Sequence, residues 1–391
     1  MSDSAPRYCA LDGLRGAAAL LVVLYHIGWA NHITGGPFVR NGYLAVDLFF
    51  ILSGFVIATN YANRLQSRAD VLAFFRLRFF RLYPLHFALL AAFVLLEVVK
   101  LLAQRYFGAA PGIDAPFAGQ NSYAALAANI VLVQAWHLFP SYSYNGPSWS
   151  ISCEVGAYLL FALTAYAGLL RHHLAFVVGL LLSVACYVIL ADSFHTARAA
   201  VTWGVPRAAA GFWLGVLLWR YRPASIASLS GAAQSLLQLF VVIGVVATMT
   251  AFSGAAVVWV IPMFVVLIAS LLSDRGVVAR VLRCNPLQAL GRWSYSIYMV
   301  HMLVLVCLSI AAKHLFHLQL LPTDSAAQAG ARDINAMTGD VLVAVVLVVV
   351  FGLSIATYRL IEEPGRQYGR RRWPRPDVAL RPDTRRPRAE S

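Results

Sequence analysis

An all-α, polytopic integral membrane protein with about ten transmembrane helices and both termini in the cytoplasm is the fold class this sequence predicts. Three observations predict it. Sixty per cent of the 391 residues are hydrophobic and 12% are charged. Mean hydropathy is +0.69. Apolar runs of about 20 residues, the length that crosses the hydrocarbon core as a helix, recur along the whole chain.

Taken in order, the runs place spans near 10–30, 42–62, 83–103, 148–170, 174–191, 200–219, 236–252, 255–272, 292–311 and 341–360. The first carries Arg15 and His26. The second carries Asp47 close to its start. The third follows FFRLRFFRLYP, where Pro84 marks a helix start or a kink. The fourth opens on SWSISCE, the sixth holds Arg207 after Pro206, the ninth reads GRWSYSIYMVH, and the tenth ends at IEEP. The apolar stretch 124–136 is too short to span and reads as a re-entrant or interfacial helix.

Charge supports this order. The chain has net charge +14, and most of its 31 basic residues fall in one set of alternate connections: Arg64 to Arg81, Arg171, Arg220, Arg222, Arg275 to Arg292 and the C-terminal segment. Basic bias sets orientation, so that set and both termini belong in the cytoplasm. Topology therefore accounts for the net charge without nucleic-acid binding. Five scattered cysteines form neither a disulfide framework nor a zinc spacing. No metal site is expected; His314 and His317 have helical spacing but lack a third ligand. With Arg15 inside it and no basic cluster before it, the first span reads as an uncleaved anchor. Residues 1–364 form the membrane domain, and the Arg- and Pro-rich 365–391 read as a disordered basic tail.

Polar residues inside spans point to chemistry. An arginine at membrane depth costs about 2.5–3.5 kcal/mol on insertion scales, and such groups face a bundle interior or a cavity. Arg15 and His26 are just over three turns apart, so they share one helix face, separated by roughly 16 Å along the axis. By depth, Asp47 and Glu154 arrive near His26, and Ser150 shares a face with Glu154. A carboxylate beside an imidazole fixes its tautomer and raises its basicity, which suits a general base or nucleophile. At the opposite face, Arg76, Arg78 and Arg81 alternate with aromatics, and arginine forks match phosphate. Trp149, Ser150, Arg207, Tyr298 and His301 are candidates for lining the acceptor site. Glu97 and Lys100 read as a local ion pair.

The segments LDGLRGAAALLVVLYH, VDLFFILSGFVI, RLRFFRLYP, SWSISCE, RAAAGFWLG, LGRWSYSIYMVH and IEEP, in this order, resemble the membrane-bound acyltransferase family 3, whose members O-acylate carbohydrates and other small hydroxylated molecules. The resemblance implies ten helices and a multi-pass protein of the bacterial cytoplasmic (inner) membrane. It implies an acyl-CoA donor, most often acetyl-CoA, bound from the cytoplasm with no permanently bound cofactor; the arginines suited to phosphate, Arg76, Arg78 and Arg81 with Arg15, are the expected donor site. It singles out Arg15 and His26 as essential; from their depth, Glu154 or Asp47 is expected to orient His26. The acceptor is expected to be a carbohydrate or glycolipid reached from the periplasmic side. A transporter or flippase of a polar glycan or lipid is the rival reading, and thioester consumption by purified protein separates the two.

Overall fold

The computed structural model describes residues 8–108, 115–196, 198–316, 320 and 334–373. Ten long helices occupy the ten expected places: α1 (Cys9–Tyr25), α2 (Ala45–Tyr61), α3 (Arg68–Phe107), α4 (Trp149–Tyr166), α5 (His173–Leu190), α6 (Gly204–Tyr221), α7 (Gly231–Ala251), α8 (Val260–Leu271), α9 (Asn285–Phe316) and α10 (Ala336–Thr357). Among the described residues, eight helices are long and apolar enough to cross a membrane by length and composition. The two outside that set, α1 and α6, are the ones that carry Arg15 and Arg207.

These two are held at the centre by small residues. A Cβ on Gly13 or Gly16 of α1 would overlap the backbone of Leu282 or of Leu290 and Gly291, and one on Gly291 would overlap the Asp12 carbonyl. Gly54 of α2 and Gly215 of α6 likewise meet each other's helix backbone. In a bilayer, where apolar side chains gain little by leaving lipid, such close backbone approach is what joins helices. Alanine at any of these glycines must force the pair apart.

Burial divides the bundle into an inner and an outer set. The apolar windows of α2 and α4 are 72% and 67% buried, whereas those of α5 and α10 are 22% buried. Leu174, Leu181, Leu182, Val188 and Ile189 on α5, with Val341 and Val348 on α10, face outward as lipid-facing residues do. The ends are closed by specific polar groups. The Asp274 carboxylate accepts from the backbone N–H groups of Cys9 (3.2 Å) and Ala10 (2.8 Å), donors that the start of α1 cannot satisfy internally. Gln238 holds the turn after α8, donating to the carbonyls of Ser270 (3.0 Å) and Arg275 (2.7 Å).

Three features differ from the sequence expectations. Helix α3 begins at Arg68, well before Pro84, because Ser67 and Asp70 form a reciprocal capping box; Pro84 lies inside it. The stretch 124–136 is a short helix, Tyr123–Ile130, followed by irregular chain. The first part of the expected tail is ordered as helix α11 (Glu363–Arg372), which follows a π-helical turn at Tyr358–Glu362; residues 374–391 lie outside the described residues.

Candidate active site

A cavity of about 220 Å³ penetrates the inner helices. At one end it is lined by Arg78 and Arg81 of α3 and Arg370 of α11; Asn60, Arg15, Ser53, Glu154 and Tyr158 line its length, and Ser150 and Tyr298 its other end. Arg370 is exposed and marks the open mouth. Of the three expected donor-site arginines on α3, Arg78 and Arg81 are one turn apart and both face the cavity. Arg76 lies nearly opposite Arg78 on the helix, is exposed, and sits over the Trp373 ring at 5.2 Å.

Arg15 faces the cavity from α1 and is paired with Asp12 one turn earlier (3.0 Å). Glu154, across from it, accepts on Oε1 from Ser53 (2.5 Å) and Tyr158 (2.6 Å). Arg78 donates to the Tyr61 hydroxyl (3.3 Å), yet its Nε is buried with no partner. At the inner limit, Tyr298 accepts from Ser150 (2.8 Å) and donates to the Pro147 carbonyl (3.0 Å).

One turn beyond Tyr298, completely buried His301 meets His26, which ends α1; the ring centroids are 4.8 Å apart. His26 Nδ1 lies 2.8 Å from the Val22 carbonyl and His301 Nδ1 lies 3.3 Å from the Ile297 carbonyl. A carbonyl only accepts, so both neutral rings are protonated on Nδ1 and present a bare Nε2 lone pair. Among the described residues His301 Nε2 has no hydrogen-bond partner. A backbone carbonyl thus fixes the His26 tautomer, the task the sequence assigned to a carboxylate. On the far side of His26, its neighbours Tyr25 and Ile27 line a second cavity with Trp29, Thr34 and Arg40. Neither histidine lines a cavity itself: His301 is one turn from Tyr298 of the first, and His26 adjoins Tyr25 and Ile27 of the second.

Asp47 and Glu154 do not flank His26 as expected from their depth. Asp47, fully buried, takes Arg207 Nε (3.1 Å) and Nη2 (2.6 Å) in a two-pronged ion pair joining α2 to α6. Tyr187 donates to the same carboxylate at 3.3 Å, Arg207 reaches the Phe194 carbonyl (3.2 Å), and the Phe194 and Trp149 rings cover the guanidinium at 3.9 and 5.4 Å. Asp47, Arg207 and Trp149 are thereby spent on one another, as a buried charge requires. Depth along a helix says nothing of direction around it. The Glu97 pair with Lys100 is formed (2.6 Å), and His317 lies outside the described residues.

Several polar cavity residues went unnoticed in the sequence, among them Ser53, Tyr158, Tyr295 and Arg370. Ser53, Tyr158 and Tyr295 each stand one turn or one helix from a named residue, and the Glu154/Tyr158 spacing of four was a usable signal. Arg370 was hidden in a segment read as tail. Its signal was the pair Gly365 and Gly369, both of which pack on α3.

A family model described as an acyltransferase domain matches residues 9–359. Acyltransferase MdmB of Streptomyces mycarofaciens is 27% identical over 322 residues, covering 76% of this chain and 79% of its own. Protein 2 in picA locus of Rhizobium radiobacter is 47% identical over 107 residues, 26% of this chain and 54% of its own. O-acetyltransferase OatA of Staphylococcus aureus is 25% identical over 339 residues, 77% of this chain and 51% of its own. The chain therefore spans about half the length of the last two. No solved structure matches.

Proposed function

The chain belongs to this family of membrane acyltransferases, and on that premise we propose that it is an O-acyltransferase that moves an acyl group, acetyl in the simplest case, from acyl-CoA on the cytoplasmic side to a hydroxyl of a carbohydrate or glycolipid acceptor in the cell envelope. One observation carries the reading: a single cavity joins an arginine-lined mouth to Tyr298, one turn from His301, whose buried Nε2 has no partner among the described residues and whose ring meets that of His26. The basic bias of the connections supports a cytoplasmic mouth in the bacterial inner membrane.

In this reading Arg78 and Arg81 hold the donor's phosphates by charge-assisted hydrogen bonds. Its pantetheine arm runs inward past Asn60, Arg15 and Ser53, which brings the thioester toward Tyr298. The acceptor hydroxyl enters from the second cavity. His26 Nε2 takes the hydroxyl proton, the oxygen attacks the thioester carbonyl, the C–S bond breaks, and the sulfur leaves with that proton as the free thiol. General base catalysis of this kind is worth about 10²–10⁴-fold. The same Nε2 is the atom that would carry the acyl group in a two-step route.

The test is release of coenzyme A from acetyl-CoA by purified protein with pooled envelope glycans as acceptor. Wild type turns over; His26→Ala loses about 10²-fold or more in kcat, and Arg15→Ala is also impaired. Full turnover in His26→Ala overturns its role.

A further inference from the structure

Helix α11 bears no chemistry in the reading above, yet it is seated with care. Gly365 packs on Pro84 and Phe80 of α3, and Gly369 packs on Phe80, where an added Cβ would come within 2.8 Å of the Phe80 Cβ. The Phe80 ring lies between Tyr368 (centroids 5.1 Å) and Trp373 (5.3 Å, stacked), and Arg76 covers Trp373. Two glycines and two aromatics thus fix the rotation of α11 against the arginine-bearing stretch of α3.

That rotation decides which basic residue reaches the cavity. Arg366 is tied back to Glu363 (3.2 Å) and Glu362 (3.9 Å) on its own side. Arg370, one turn on, lines the cavity mouth with Arg81 and Arg78. Among the described residues neither Arg81 nor Arg370 makes a salt bridge, and both are close enough to act on Arg366 through space. Guanidinium groups gathered at one mouth repel one another; the carboxylate that lines this cavity, Glu154, lies deeper and accepts from Ser53 and Tyr158. An anion among them removes the repulsion and gains charge-assisted hydrogen bonds. The buried, unpartnered Arg78 Nε adds unspent donor capacity on the facing wall.

We infer that α11 is the second wall of the donor site and that Arg370 takes phosphate oxygens of a nucleotide-linked thioester opposite Arg81. This rests on the donor reading above. It makes the C-terminal helix part of the enzyme's binding surface, locked in place by the Phe80, Tyr368 and Trp373 stack.

Equilibrium binding of coenzyme A to the purified full chain in detergent tests it, with pantetheine as the probe that lacks phosphates. Arg370→Ala weakens coenzyme A about tenfold or more and leaves pantetheine unchanged. Trp373→Ala, which frees the helix, shifts coenzyme A in the same direction. Arg372→Ala removes the same charge from the side of α11 away from the cavity and leaves coenzyme A binding unaltered. Equal affinity for coenzyme A in wild type and Arg370→Ala overturns the inference while the donor reading stands. Equal weakening by Arg370→Ala and Arg372→Ala overturns it in favour of general charge attraction. Failure of wild type to bind coenzyme A overturns the donor reading and the inference together.

Discussion

The two ends of the bundle treat charge in opposite ways. At the histidine end the fully buried charges are paired: Asp47 and Arg207 neutralise each other, and the imidazoles are held by carbonyls of their own helices. At the mouth, among the described residues, neither Arg81 nor Arg370 makes a salt bridge, and Arg78 donates to a tyrosine hydroxyl. Paired charge builds structure, since removing one partner leaves the other stranded in a medium that cannot solvate it. Unpaired charge on a solvent-reaching wall adds nothing to the fold and leaves binding capacity for an anion. The same residue type therefore has two occupations in one bundle, and burial with a partner tells them apart.

The largest expected effect breaks the paired end. Asp47→Ala leaves the Arg207 guanidinium buried and half-satisfied, which costs about 3–5 kcal/mol. The thermal unfolding midpoint in detergent falls and the yield of folded protein drops with it. Arg207→Met on the Asp47→Ala background recovers most of the loss, because a buried pair replaced by apolar groups is close to neutral. A single variant as stable as wild type would mean that Arg207 finds water or another acceptor, and the contrast between the two ends would fail.

This contrast was only half visible in the sequence. Runs of apolar residues located all ten long helices, because a helix in hydrocarbon must be apolar over its length whatever surrounds it. Arg15 and His26 stood out because ionisable groups at depth are costly. Direction around a helix was not legible, since it depends on which neighbour each face meets. Asp47 was therefore assigned to His26 and is found on Arg207, and the His26/His301 encounter joined residues far apart in the chain with no local signal. Arg370 was lost for another reason: composition averages over a window, and a segment rich in arginine and proline reads as solvated tail even where Gly365, Gly369 and Trp373 dock its first turns on α3. The carboxylate expected to orient His26 is replaced by the Val22 carbonyl, which any helix end supplies without a sequence signature.

The open end gives the next effect, and its readout is affinity. Arg81→Ala removes a charge that makes no salt bridge among the described residues and acts on Glu362 only through space, so the unfolding midpoint moves little. A hydrogen bond to a charged group contributes about 1.5–3 kcal/mol, so KM for acetyl-CoA rises about tenfold or more while kcat holds. Raising ionic strength moves the wild-type KM in the same direction by screening the mouth. A drop in stability with unchanged KM would move Arg81 into the structural class and erase the difference between the ends.

The smallest effect lies where the two ends meet. Glu154 Oε1 accepts from both Ser53 and Tyr158, and the cavity passes beside all three. Tyr158→Phe removes one of two donors to an oxygen that keeps the other, with the ring and its packing against Phe74 and Phe212 retained. The loss is about 0.5–1.5 kcal/mol in stability, and thiol release at saturating acetyl-CoA changes by less than about tenfold. If Glu154 instead behaves as the open-end arginines do, Tyr158→Phe lowers affinity for donor and spares the midpoint. That outcome would extend the binding half of the cavity one full turn deeper, to the level of Ser53, and leave only the histidine pair and its neighbours Ser150 and Tyr298 for the reaction.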